Sequence, residues 1–135
     1  MKKKILVVDD ESDFLKMIKI RLEANNYEVL TASDGEEALE MLKTRTPAAV
    51  LLDILMPGMN GLDALKRMRG KHKNLPIFMI TAFSTKERFE LANELKASGF
   101  IVKTDDLKKE LNSINTAIKL ADKYRGEKQD TAHRK

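Results

Sequence analysis

The stretch Ile5-Leu6-Val7-Val8-Asp9-Asp10-Glu11 passes from a continuous apolar run to three acids without a break. A run this short and this β-branched reads as a strand buried on both faces of a parallel sheet, and the acids mark its exit. It is too short, and ends too abruptly in acid, to serve as a signal-peptide core behind Met1-Lys2-Lys3-Lys4. Similar runs recur at Tyr27 to Ala32, Ala49 to Leu52, Ile77 to Ile80 and Phe100 to Val102. Each is followed by a helical stripe. Phe14, Ile18 and Leu22 open the series, Ala38 and Leu42 follow, then Leu62, Leu65 and Met68, then Leu91, Ala92 and Leu95. Leu107, Leu111, Ile114, Ile118 and Ala121 form the longest stripe.

Local signals agree with this alternation. Ser33-Asp34-Gly35-Glu36 and Ser84-Thr85-Lys86-Glu87 both fit a capping box in which the serine closes an orphan amide. Pro47 and Pro76 stand just before strands, where no ladder donor is needed. The segments share no sequence with one another, which excludes a solenoid. Five strand–helix units in succession predict an α/β fold: a doubly wound, five-stranded parallel sheet with helices on both faces. Its expected order is the flavodoxin-like 2-1-3-4-5. The expected domain covers residues 1–124. Residues 125–135 read as a polar, aperiodic tail, disordered or the stub of a linker, and too short for an output domain.

Composition narrows the function. Apolar residues make up 42% of the 135 and charged residues 34%, enough for a core under a solvated shell. Cysteine is absent, which excludes disulfides, thiolate zinc sites and thiol catalysis. No apolar run approaches the roughly 20 residues of a membrane helix, so a cytoplasmic protein without membrane contact is expected. The net charge of +4 raises the question of nucleic acid. The lysines, however, are spread along helix faces, and Phe14, Phe78, Phe89 and Phe100 sit in apolar runs that read as core. No direct nucleic-acid binding is expected.

In the order 2-1-3-4-5 the winding reverses between the first and third strands, and ligands bind outside the carboxyl ends of strands at such a reversal. The residues there are Asp9, Asp10 and Asp53. Three converging carboxylates repel one another unless a cation compensates, and hard oxygen ligands suit Mg²⁺. The fourth and fifth strands add a hydroxyl, Thr81, and an ammonium, Lys103, to the same rim. A carboxylate nucleophile, a divalent cation, a hydroxyl and a lysine compose a phosphoryl-transfer site. Taken singly, each residue has a plain structural reading, as helix cap, turn residue, strand filler or surface charge. Their joint placement on one rim favours chemistry.

With those residues in place, the chain resembles a response-regulator receiver domain, the family of the bacterial chemotaxis regulator. The resemblance rests on Asp9-Asp10, on Asp53-Ile54-Leu55-Met56-Pro57-Gly58-Met59-Asn60-Gly61, on Thr81-Ala82, and on Phe100 preceding Lys103. It implies that Asp53 is the phosphoacceptor, charged by a sensor histidine kinase or a histidine phosphotransfer protein. It implies that Asp10 and Asp53 bind Mg²⁺ directly, Asp9 mainly through water, and the backbone carbonyl of Leu55 as a further ligand. Lys103 would pair with the phosphoryl group, Thr81 would swing toward it, and Phe100 would follow as the aromatic switch. The face of the fourth helix, fifth strand and fifth helix, with Lys86, Lys96, Lys108 and Lys109, would then change, forming a homodimer or docking an unknown downstream protein. Beyond assisting its own phosphotransfer and slow dephosphorylation, such a domain is not an enzyme.

Two positions shape the expectations further. Receivers usually carry Lys-Pro with a cis bond where this chain has Lys103-Thr104; a cis bond before a non-proline costs about 2.5–4 kcal/mol, so a trans bond is predicted. Leu55 and Phe83 stand where, by the resemblance, side chains flank the path of the attacking water. Both are bulky and apolar, so slow hydrolysis is expected. Three other readings compete with this one. An aspartate-nucleophile phosphatase would need an acid where Leu55 stands, and a flavodoxin would need amide and hydroxyl donors where Asp9-Asp10-Glu11 would repel a phosphate. A receiver-like interaction module that takes no phosphoryl group stays open.

Overall fold

The computed structural model describes residues 2–104 and 106–133. The elements alternate strictly: β1 (Lys3–Val8), α1 (Ser12–Ala24), β2 (Tyr27–Ala32), α2 (Gly35–Met41), β3 (Ala49–Asp53), α3 (Gly61–Lys71), β4 (Ile77–Thr81), α4 (Lys86–Glu94), β5 (Gly99–Val102) and α5 (Leu107–His133). All strand pairs are parallel, in the order β2-β1-β3-β4-β5. The register sets Val8 beside Leu52 and Thr81 beside Val102, so strands 1, 3, 4 and 5 finish on one rim.

Strand periodicity splits the core in two. Leu6, Val8, Val50, Leu52, Ile77 and Met79 pack with Ala38, Leu42, Leu62, Leu65, Met68 and Ala92 of α2, α3 and α4. Ile5, Val7, Leu51, Phe78, Ile80 and Ile101 pack with Phe14, Ile18, Leu22, Leu111, Ile114 and Ile118 of α1 and α5. Strands β3 and β4 are buried along their whole length, which is why they read as unbroken apolar runs. No helix among the described residues is long and apolar enough to cross a membrane.

Two local expectations are corrected. Both caps sit one residue later, and neither makes a capping box: Asp34 accepts from the Glu37 amide at 2.7 Å and Thr85 accepts from the Arg88 amide at 3.1 Å. Each serine is followed directly by a second good capping residue, and it is that one which takes the cap. Phe89, expected in the core, is exposed: it stands between Arg88 and Glu90, and α4 buries only Ala92 fully. Helix α5 runs on past Tyr124 through His133. Arg, Glu, Lys and Gln in that stretch are good helix formers even without an apolar stripe. Arg134 and Lys135 lie outside the described residues.

Candidate functional site

Asp9 follows β1 and is fully buried, Asp53 ends β3 at 5% exposure, and Thr81 ends β4 fully buried. Burial follows from topology, since β1, β3 and β4 are the interior strands of the sheet. Carboxylate oxygens of Asp9, Asp10 and Asp53 all lie within 4.8 Å of one another, and Asp10 is the exposed member.

The hydrogen bonds hold these groups in fixed orientations. Asp9 Oδ1 accepts from the Glu11 amide and Asp53 Oδ1 from the Ile54 amide, each at 2.9 Å. Lys103 Nζ donates to Asp9 Oδ2 and lies 3.5 Å from Glu11 Oε1 and 3.9 Å from Asp53 Oδ2. Its charge also sits over the Phe14 ring, 4.1 Å from the centroid, a contact worth roughly 0.5–2 kcal/mol. The Lys103 amide donates to the Thr81 carbonyl at 2.7 Å, which ties the ends of β4 and β5 together.

One ammonium does not balance this cluster. Burial, and then the Asp9 charge, push the Asp53 carboxyl up to about 7, with Asp10 adding to the effect; Lys103 and the Ile54 amide pull the other way. Burial alone would lower the Lys103 pKa, but the hydrogen bond and charge of Asp9, with Asp53 and Glu11, raise it. A surplus of hard oxygen donors around a partly exposed opening fits a divalent cation of the Mg²⁺ type. Asp9, Asp10 and Asp53 are the side chains that would hold it.

The floor beside Asp53 is backbone. The Gly61 amide donates to the Ile54 carbonyl at 2.7 Å, and a Cβ on Gly61 would stand 1.8 Å from the Asp53 carbonyl oxygen. Asn60 caps α3, accepting from the Leu62 and Asp63 amides at 2.9 and 3.0 Å. Gly58, at φ +76°, turns the loop between them.

The remaining expected residues spread outward from this centre. Leu55 and Phe83 are both exposed at the opening, Phe83 by 65%. Thr81 Oγ1 accepts from the Phe83 amide at 3.2 Å, and the Arg88 guanidinium donates to the Phe83 carbonyl at 2.5 Å. Phe100 is half-buried toward α4, edge-on to Phe89 with ring centroids 5.5 Å apart. The Lys103–Thr104 bond is trans, as expected from sequence. Lys86, Lys96, Lys108 and Lys109 are exposed. Sequence reasoning missed Glu11, Phe14 and the buried Glu110, whose carboxylate accepts from the Thr104 amide. Glu11 was legible in the acidic run; an apolar stripe residue and a helix glutamate carry no such mark.

The sequence matches the response regulator receiver domain family over residues 5–115. It is 40% identical over 103 residues to the alkaline phosphatase synthesis transcriptional regulatory protein PhoP of Bacillus subtilis, covering 76% of this chain and 43% of that protein. It is 37% identical over 122 residues to the probable transcriptional regulator ycf27 of Porphyridium aerugineum, covering 90% of this chain and 50% of that one. The chain thus spans about half the length of these curated relatives. Among solved structures, a CheY-like receiver domain protein from Methanospirillum hungatei superposes with a TM-score of 0.85 at 26% identity, covering 92% of this chain and 99% of that one. Response regulator protein TrrA from Thermotoga maritima, solved in complex with Mg(2+)-BeF, superposes with a TM-score of 0.76 at 35% identity, covering 87% and 99%.

Proposed function

The chain belongs to the response regulator receiver domain family, and on that premise we propose that it is a phosphorylation-activated switch with Asp53 as phosphoacceptor. The observation that carries this reading is the convergence of Asp9, Asp10 and Asp53 at the Lys103 ammonium, with Thr81 at the adjoining strand end. The donor is a phosphohistidine on a sensor kinase or a phosphotransfer protein in the cytoplasm. An Asp53 oxygen attacks its phosphorus; the phosphorus–nitrogen bond breaks as the acyl phosphate forms, and the histidine leaves with a proton.

Mg²⁺, held by Asp9, Asp10, Asp53 and the Leu55 carbonyl, would neutralise the phosphoryl oxygens and lower the charge barrier to attack. Lys103 stands 3.9 Å from Asp53 and pairs with a phosphoryl oxygen by exchanging its Asp9 contact. The Thr81 hydroxyl carries its own proton while accepting from Phe83, so it can donate to a second oxygen. That movement draws on the loop leading to α4 and frees space beside Phe100. A phosphoryl group adds about −1.5 to −2 charges and three acceptors, enough to bias two packings a few kcal/mol apart. The changed face is α4-β5-α5, and its lysines meet a downstream protein or a second copy. Sedimentation of the activated form decides between those two.

Titration with beryllofluoride and Mg²⁺, followed by amide NMR, tests the reading. Shifts at Asp53, Thr81, Lys103 and Phe100 are expected. A spectrum unchanged at saturating mimic would overturn phosphoacceptance and leave an interaction module that takes no phosphoryl group.

A further inference from the structure

Glu110 is the one buried charged residue outside the acidic cluster among the described residues, only 4% exposed. Acidic side chains are almost never fully buried without a partner that repays their desolvation. Its partner is the backbone amide of Thr104, which donates to Glu110 Oε1. Thr104 follows directly on Lys103, so this bond holds the peptide unit on the C-terminal side of Lys103. The unit on its N-terminal side is held by the Lys103 amide, which donates to the Thr81 carbonyl at 2.7 Å. With both flanking peptide units pinned, φ and ψ of Lys103 are set, and the direction of its Cα–Cβ bond with them.

The far end of the side chain is guided as well. The ammonium lies 4.1 Å from the centroid of Phe14, a face that prefers a cation but exerts no pull toward any one carboxylate oxygen. The Thr104 hydroxyl accepts from the Asp106 amide at 3.1 Å, and the Asp106 carboxylate accepts from the Lys109 amide at 3.2 Å. The Glu110 bond therefore spans a turn that is itself tied to the start of α5.

We propose that Glu110, through the Thr104 amide, and Phe14, through its ring face, are positioning residues that aim the Lys103 ammonium at the mouth of the acidic cluster. Neither touches the reacting atoms. Glu110 fixes where the lysine stem leaves the backbone; Phe14 supplies a surface along which the ammonium can pass from Asp9 toward Asp53 without being exposed to solvent. The proposal rests on the reading of Lys103 as the partner of the phosphoryl group.

The first test uses the unaltered protein. Its Thr104 amide is expected downfield and protected from hydrogen exchange, and the Lys103 ε-methylene protons shifted upfield by the Phe14 ring. An unprotected Thr104 amide with an ordinary Lys103 ε shift would overturn the proposal. In Glu110→Met, which keeps the volume but removes the acceptor, the Lys103 ε shift should be lost; Glu110→Gln should keep it. Phosphorylation by a small acyl-phosphate donor with Mg²⁺ should slow roughly ten- to hundredfold in Glu110→Met. In a Lys103→Met background the same change should cost less than about twofold. Equal slowing in both backgrounds would mean that Glu110 acts on something other than Lys103. If the unaltered protein takes no phosphoryl group, the functional reading fails, while the spectra still judge the role of Glu110.

Discussion

The two ends of the sheet handle buried charge in opposite ways. At the amino ends, Arg69 is half-buried, and its guanidinium donates to the carbonyls of Lys96 at 2.7 Å, His72 at 2.9 Å and Leu75 at 2.5 Å, and to Ser98 Oγ at 3.2 Å. Ser98 Oγ in turn accepts from the Ile77 amide at 3.0 Å. One cation thus joins α3 to the turns that enter β4 and β5. The cleft around it is basic, with Lys2, Lys4, Arg45, Lys73 and Lys96 and no carboxylate among its lining residues. At the carboxyl ends, buried Asp9 and Asp53 and exposed Glu11 share Lys103, with the carboxylate of Asp10 beside them. A charge matched to dipoles holds loops together. Like charges that outnumber their counter-charge store repulsion, and a ligand can relieve it.

The sharpest way to break this contrast is at Asp53. Asp53→Asn should fold and lose all phosphoryl labelling from an acyl-phosphate donor; wild-type labelling in that variant would sink the site. The stored repulsion should also appear in stability. Asp53 rises from an ordinary 3.8 to about 7 in the fold, so its ionisation opposes folding. The cost is absent below the unfolded pKa and complete above the folded one. Metal-free stability should therefore fall by roughly 2–4 kcal/mol between about pH 4 and pH 7. Denaturant melts of wild type and Asp53→Asn across that range should diverge with the variant increasingly the more stable, and saturating Mg²⁺ should close the gap.

The amino end should respond the other way. Arg69→Met should cost about 2–4 kcal/mol by leaving three carbonyls in two turns without their donor, yet labelling of the folded protein should be normal. A stability loss accompanied by lost labelling would show that the two ends are not separable. The smallest effect concerns the opening. Leu55→Asn with Phe83→Glu should shorten the phosphoryl lifetime several-fold, about 1 kcal/mol in barrier, measured as decay after donor removal. Decay no faster than wild type would end the shielding argument.

The contrast also explains what could be read from sequence. Asp9, Asp10, Asp53, Thr81 and Lys103 were legible because a parallel sheet turns four separated strand ends into one rim, and each residue follows a recognisable apolar run. The strand order followed from the same pattern. Arg69 was not legible. Its partners are backbone carbonyls, which every residue has, so nothing in the chain marks it off from neighbouring Arg67 or Lys71. Glu110 was hidden for the same reason, its partner being an amide. The caps slipped by one residue because Ser33-Asp34 and Ser84-Thr85 offer two acceptors in succession. Phe89 misled because an aromatic side chain says nothing about how far its helix stands from the sheet, and its flanking Arg88 and Glu90 mark a solvated face.

For anyone re-engineering this receiver domain, the backbone contact at Gly61 divides the loop after β3 into a frame and a cassette. Asp53, Ile54, Asn60 and Gly61 are the frame, joined by the bond across the loop mouth and by a clearance that admits no side chain. Between them Leu55, Pro57 and Gly58 face outward, and of these three only Gly58 has its residue type dictated by the turn, while Met56 and Met59 stay packed against the core. Lifetime and access can thus be retuned by exchanging the cassette while the acidic centre stays where β3 delivers it.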